Sequence, residues 1–197
     1  MSRTTARRTF STTPWLVAGL LLSAGLAPRF AWSAVSAKDF QLFRDPASRF
    51  SLEFPKDWQV NAGVGDVLVT FAQKKNEAAL VVERFHLNLA PTADKIDELF
   101  AQIEEDTLKE RQPQAIAVSH RLADGNGRRF IVIDYTRPGL TRPLERARQY
   151  SLPIGQDLYR LICSAAPAQF AKYEPLFAHV NDSFIAPAAE VPGKPSK

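Results

Sequence analysis

The sequence predicts an α+β fold in which an antiparallel β-sheet is packed between helices. Strand signals dominate both halves of the chain beyond residue 37, and each half ends in a helical stretch with one apolar stripe. A helix with one stripe must bury it against a sheet face. The economical architecture is therefore an α/β/α sandwich.

The elements follow in order. Residues 40–43, a turn at Asp45-Pro46-Ala47-Ser48 and the alternating residues 50–54 read as a hairpin, which Pro55 ends. Trp58 follows, with an indole large enough to close one end of a core. Strands are expected over 66–73 and 78–87, and the run Ala78-Ala79-Leu80-Val81-Val82 suggests cover on both faces. From 92 to 111 the period becomes helical, with Ile96, Leu99, Phe100 and Ile103 in one stripe. Thr92 is its expected N-cap, and acids at 94, 97 and 98 and bases at 109 and 111 complement the helix dipole.

A second hairpin is expected from 116–122 and 128–136 around Asp124-Gly125-Asn126-Gly127, residues that tolerate positive φ. A loop over 138–143 leads to a polar strand, 145–152, and a turn over 153–157 to an apolar strand, 158–165, placed near the sheet centre. Tyr173, Leu176, Phe177, Val180 and Phe184 recur at helical spacing. Pro175 is costly in a helix interior, which predicts a short turn before it and the main helix after it. Residues 187–197, rich in Ala, Pro, Lys and Ser, read as a disordered tail.

Residues 1–37 read as an export signal: a basic start, an apolar stretch from Trp15 to Ala27, and Val35 and Ala37 as the small residues before a cut. That stretch of 13 residues falls short of the roughly 20 needed to span a bilayer. Ala6-Arg7-Arg8-Thr9-Phe10-Ser11 resembles a twin-arginine signal, with Ala6 and Ser11 departing from that pattern; the alternative is an ordinary secretory signal. The leader also distorts the apparent charge. The whole chain has a net charge of +4, but without the leader's four arginines 21 bases stand against 21 acids. A nucleic-acid partner therefore gains no support from charge.

The remaining 160 residues suit one domain, 38–186, with a core large enough to need neither metal nor disulfide. Cys163 is the only cysteine. Beside Leu161 and Ile162, it reads as a buried apolar residue and not as a nucleophile.

The stretch Phe50-Ser51-Leu52-Glu53-Phe54-Pro55-Lys56-Asp57-Trp58 resembles the strand, proline and tryptophan opening of the PsbP family. Arg146, Leu158-Tyr159-Arg160-Leu161 and Asp182-Ser183-Phe184 resemble the close of the same domain. The resemblance spans about residues 40–186 and implies the α/β/α sandwich of that superfamily. It also implies an extrinsic accessory role at a membrane complex: PsbP itself serves the oxygen-evolving side of photosystem II, and relatives look like assembly or stability factors. One branch binds the Ran GTPase in nuclei, which the export leader argues against. A fold alone does not fix an activity.

The residues offer little for catalysis. Ser119 and His120 are strand neighbours and face apart, no Gly-x-Ser-x-Gly elbow is present, and Gly125-Asn126-Gly127 lacks the lysine and helix of a phosphate loop. Asp134 and Glu145 would become paired carboxylates only through tertiary contact. The resemblance raises calcium or manganese as ligands. Against it, His86, His120 and His179 lie in separate elements, Glu83 and His86 face apart, and no carboxylate-rich loop is present, so no metal, cofactor or catalytic residue is assigned.

Charge is the distribution that departs from blandness. Residues 38–127 carry 11 bases and 15 acids, whereas 128–160 carry seven arginines and three acids. Arginine pairs bidentately with carboxylate and phosphate. Arg128, Arg129, Arg137, Arg142, Arg146 and Arg148 are therefore the expected partner-docking residues, with a basic outer hairpin face as the plainer alternative.

The sequence thus points to an exported, non-enzymatic PsbP-like monomer of the thylakoid lumen or bacterial periplasm. Its expected partner is a membrane complex, possible identities including photosystem II, reached by peripheral contact. The alternatives are a periplasmic carrier of a small apolar ligand, which a filled core around Trp58, Phe100 and Phe177 would disfavour, and an envelope-stress protein.

Overall fold

The computed structural model describes residues 37–88, 114–139 and 143–187, together with Lys95, Glu98, Leu99, Gln102 and Ile103. The leader up to Ser36, most of the helix expected over 92–111, Arg142 and the tail beyond Pro187 lie outside the described residues.

After a 3-10 turn at Ala37–Asp39 the described residues form nine strands: β1 (Phe40–Arg44), β2 (Ser51–Pro55), β3 (Trp58–Ala62), β4 (Val67–Gln73), β5 (Ala78–His86), β6 (Ile116–Gly125), β7 (Arg128–Arg137), β8 (Glu145–Ile154) and β9 (Asp157–Ala165). Helix α1 (Phe170–Ser183) follows. Strands β1 and β2 pair as a two-stranded sheet, and the other seven form an antiparallel sheet in the order β3-β4-β5-β9-β8-β7-β6. The α+β class and the central place of β9 agree with the sequence reading.

Turn chemistry sets the hairpins. In the β1–β2 turn, the Asp45 carboxylate accepts bonds from the Ala47 and Arg49 amides, each at 3.1 Å, while Ser48 takes a φ of 58°. Between β6 and β7, Asn126 at 51° and Gly127 at 72° make a two-residue turn with both φ values positive, the geometry whose twist suits a hairpin. At Gly63, a Cβ would sit 2.0 Å from the Val67 carbonyl oxygen, so glycine alone lets β3 turn into β4.

The strand period of two splits the residues between faces. On one face Leu52 and Phe54 of the small sheet, Phe71, Leu80 and Leu161 of the large sheet, and Phe177 of α1 are buried in one cluster. Burial of each such side chain contributes roughly 1.5–3 kcal/mol. On the other face Ile131, Ile133, Tyr135, Leu158 and Ile162 pack with Ile103 and Leu99, both of which are helical.

Three elements differ from the sequence reading. Strand β3 was not expected, because only Trp58 of its five residues is buried and no alternation marks it. Strand β8 was expected to be polar, yet it is largely buried, since Glu145, Arg148, Gln149 and Ser151 find partners inside the fold. Helix α1 runs unbroken through Pro175. That proline removes one backbone donor, and burial of Phe170, Tyr173, Phe177 and Val180 along the same helix outweighs the loss.

Candidate functional site

The densest polar constellation lies where β6, β7 and β8 meet the start of α1. Asp134 on β7 stands opposite Arg148 on β8 and Ser119 on β6, which fixes all three on one face. The Asp134 carboxylate accepts Arg148 Nε at 2.8 Å and Nη2 at 3.2 Å, a bidentate pair, and Ser119 Oγ at 3.3 Å. Arg121 Nη1 lies 3.4 Å and Arg146 Nη2 4.0 Å from the same carboxylate. Three guanidiniums thus share one acid that is 1% exposed.

Arg148 is held twice more: its Nη1 meets Glu174 Oε1 of α1 at 2.6 Å, and its guanidinium lies 5.6 Å from the Phe170 ring centre. Burial opposes its charge, but the bonds and field of Asp134 outweigh that, so its pKa stands above the ordinary guanidinium value. Arg146 covers the same ring at 4.6 Å.

The remaining expected docking residues are dispersed. Arg128 donates to the Phe184 and Asn181 carbonyls at 2.7 and 2.6 Å, closing the end of α1, where Asn126 Nδ2 also donates to the Asp182 carbonyl. Burial pulls the Arg128 pKa down. Arg129 pairs with Asp124 at 3.1 Å on the surface. Arg137 Nε meets Glu145 Oε1 at 2.6 Å on the opposite face from Asp134. Arg160, 4% exposed, stacks at 4.6 Å on Phe85. Arg128, Arg146 and Arg148 therefore lie on one sheet face and Arg129 and Arg137 on the other; Arg142 lies outside the described residues.

The sequence reading missed Ser119, Arg121, Phe170 and Glu174 as members of this constellation. For the first two a signal existed: with Asn126-Gly127 as the turn, hairpin register carries Arg121 to Val132 and Ser119 to Asp134. Phe170 and Glu174 arrive through helix packing, which no local pattern encodes.

The other chemistry candidates stay apart. Ser119 opposes Asp134 while His120 opposes Ile133, so the two face opposite ways. Asp134 and Glu145 are likewise on opposite faces. Cys163 is fully buried, and burial pushes its thiol well above the usual range. Tyr135 is fully buried, its hydroxyl without a hydrogen-bond partner among the described residues, and burial pushes its pKa up to about 12. His86 Nδ1 lies 3.4 Å from Asp157 and His179 Nε2 2.7 Å from Glu53, two separate surface pairs.

Among the described residues no three His, Cys, Asp or Glu side chains converge. Nor is any described helix long and apolar enough to cross a membrane. Trp58 and Phe177 lie in one contiguous core cluster, while Phe100 lies outside the described residues.

Comparison with known proteins gives the same architecture. The structure is similar to the cyanobacterial PsbP, CyanoP, of Synechocystis sp. PCC 6803, with a TM-score of 0.60 and 16% identity over 78% of this chain and 95% of that one. A Bacteroides thetaiotaomicron protein matches with a TM-score of 0.53 and 13% identity, over 77% of this chain and 50% of its own. The Saccharomyces cerevisiae Ran-binding protein Mog1p matches with a TM-score of 0.53 and 7% identity, over 75% of this chain and 95% of its own. Such identities show a shared fold. No curated protein sequence matches the chain. The PsbP family model, however, matches residues 38–186, all nine strands and α1 included, and the chain belongs to the PsbP family.

Proposed function

We propose that this chain is an exported, non-enzymatic accessory protein that docks on a membrane complex outside the cytoplasm, with photosystem II the candidate in a photosynthetic host. The observation that carries the reading is the family match, which runs the length of the domain from residue 38 to residue 186. Export rests on the leader-like residues 1–37.

The arginine geometry narrows the docking hypothesis. Arg128, Arg137 and Arg148 are held by the domain's own carbonyls and carboxylates, whereas Arg129, paired with Asp124, and Arg146, beside Asp134, still keep 49% and 37% of their side chains exposed. Arg121, half exposed beside Asp134, joins them as a surface cation. Docking through such groups is sensitive to salt.

The test is affinity purification of the tagged protein from membranes of its own host at low salt, followed by mass spectrometry. Photosystem II subunits recovered with the wild type, and lost on combined charge reversal at Arg121 and Arg146, which share one sheet face, are the expected result. Recovery of the same subunits by the charge-reversed protein would overturn the docking face.

A further inference from the structure

A cleft of about 260 Å³ opens between the β1–β2 turn and the extended segment that follows α1. Its floor is Phe50, 3% exposed and stacked on Phe184 with ring centres 5.5 Å apart. Ile185, 65% exposed, and Pro187 form an apolar wall. A pair of 2.8 Å hydrogen bonds between the backbones of Ser51 and Ile185 holds floor and wall together, so the cleft is already formed without a ligand.

Its electrostatics are one-sided. The Asp45 carboxylate at one end is fully engaged: Arg49 Nε and Nη2 donate at 2.8 Å each, and two backbone amides at 3.1 Å. Arg44, in contrast, lines the cleft with its side chain exposed and makes no hydrogen bond or ion pair among the described residues. Among the described residues the one uncommitted charge in the cleft is therefore positive and sits beside an apolar floor and wall. The volume lies just below that of pockets for drug-sized ligands, so it suits a fragment.

We propose that this cleft binds a monocarboxylate carried on a short branched apolar group, either a free acid or the C-terminal residue of a polypeptide. The carboxylate meets the Arg44 guanidinium, and the apolar group covers Phe50 and Ile185. This assignment is independent of the docking face on the large sheet.

The experiment titrates the protein with 4-methylpentanoate, N-acetyl-leucine and the neutral N-acetyl-leucinamide, following amide shifts at Ser48, Ser51 and Ile185 by NMR. Both anions are expected to shift these amides. Arg44→Gln, at an exposed position, should keep the wild-type melting temperature and weaken anion binding about tenfold or more, the worth of one charge-assisted hydrogen bond. Lys74→Gln, in the exposed β4–β5 turn, should leave binding unchanged. Tighter binding of N-acetyl-leucine than of the free acid identifies a polypeptide terminus as the source, and the reverse order a small molecule. Equal binding of the neutral amide, an Arg44→Gln protein that binds like wild type, or no shift with either anion at about 0.1 M overturns the proposal.

Discussion

Across β7 and β8, the Asp134 carboxylate accepts two hydrogen bonds from the Arg148 guanidinium, with side chains only 2% and 10% exposed. Removing one partner of such a pair strands the other charge. Arg148→Ala should therefore destabilise the domain by about 3 kcal/mol, because Arg121 and Arg146 reach Asp134 only at 3.4 and 4.0 Å. Replacing the pair together, as Asp134→Leu with Arg148→Met, should cost much less than the sum of the single changes. Urea denaturation midpoints decide the matter; an Arg148→Ala protein within about 0.5 kcal/mol of wild type would refute the account.

Arg128→Ala should cost about 2 kcal/mol, since it removes two charge-assisted bonds, one to the Asn181 carbonyl in the last turn of α1 and one to the Phe184 carbonyl just beyond it. The loss should be local. Hydrogen exchange is expected to rise most in the final turn of α1 and at Ile185, and uniform acceleration across the sheet would contradict this.

Cys163 lies at the sheet centre, fully buried, with its thiol pushed upward by that burial. A thiol reagent at about pH 8 should leave the folded protein unmodified and label one site once urea unfolds it. Fast stoichiometric labelling of the native protein would disprove the burial.

Asp45 titrates below its ordinary value of 3.8, chiefly through the side-chain hydrogen bond from Arg49, which outweighs the opposing effect of burial. A depressed folded pKa means that the contribution to stability is complete above 3.8 and is lost as pH falls through the folded value. Carboxyl NMR titration should show Asp45 moving back toward 3.8 in Arg49→Gln, together with weaker acid stability. An unmoved midpoint would exclude Arg49 as the cause.

Much of this fold is legible locally because its turns announce themselves: Asp45 through Ser48 and Asn126-Gly127 fix two hairpins and their registers. Strand β3 escapes notice because Gln59, Val60, Asn61 and Ala62 are all exposed, so its hydrophobic pattern is missing. Strand β8 misleads for the opposite reason. Charge read along a chain counts as outward-facing, yet Arg148 points inward to an acid 14 residues away. The arginine block shows the same limit: proximity in sequence placed six residues in one set, and strand parity divides the five described ones between two faces.

The small β1–β2 sheet shares no strand ladder with the large one. Its backbone is tied to the rest by Ile185 bridging Ser51, and by Ser183 Oγ accepting the Glu53 amide at 3.0 Å. These partners come after every strand in chain order. During synthesis β1 and β2 thus wait for residues made after β9, and a ribosome-bound chain that still lacks residues 183–185 holds the hairpin to the large sheet through side chains, among them the Tyr159 hydroxyl donating to the Arg49 carbonyl at 3.1 Å. Closure of the domain is therefore a late event in its synthesis, governed by a contact of very long sequence separation.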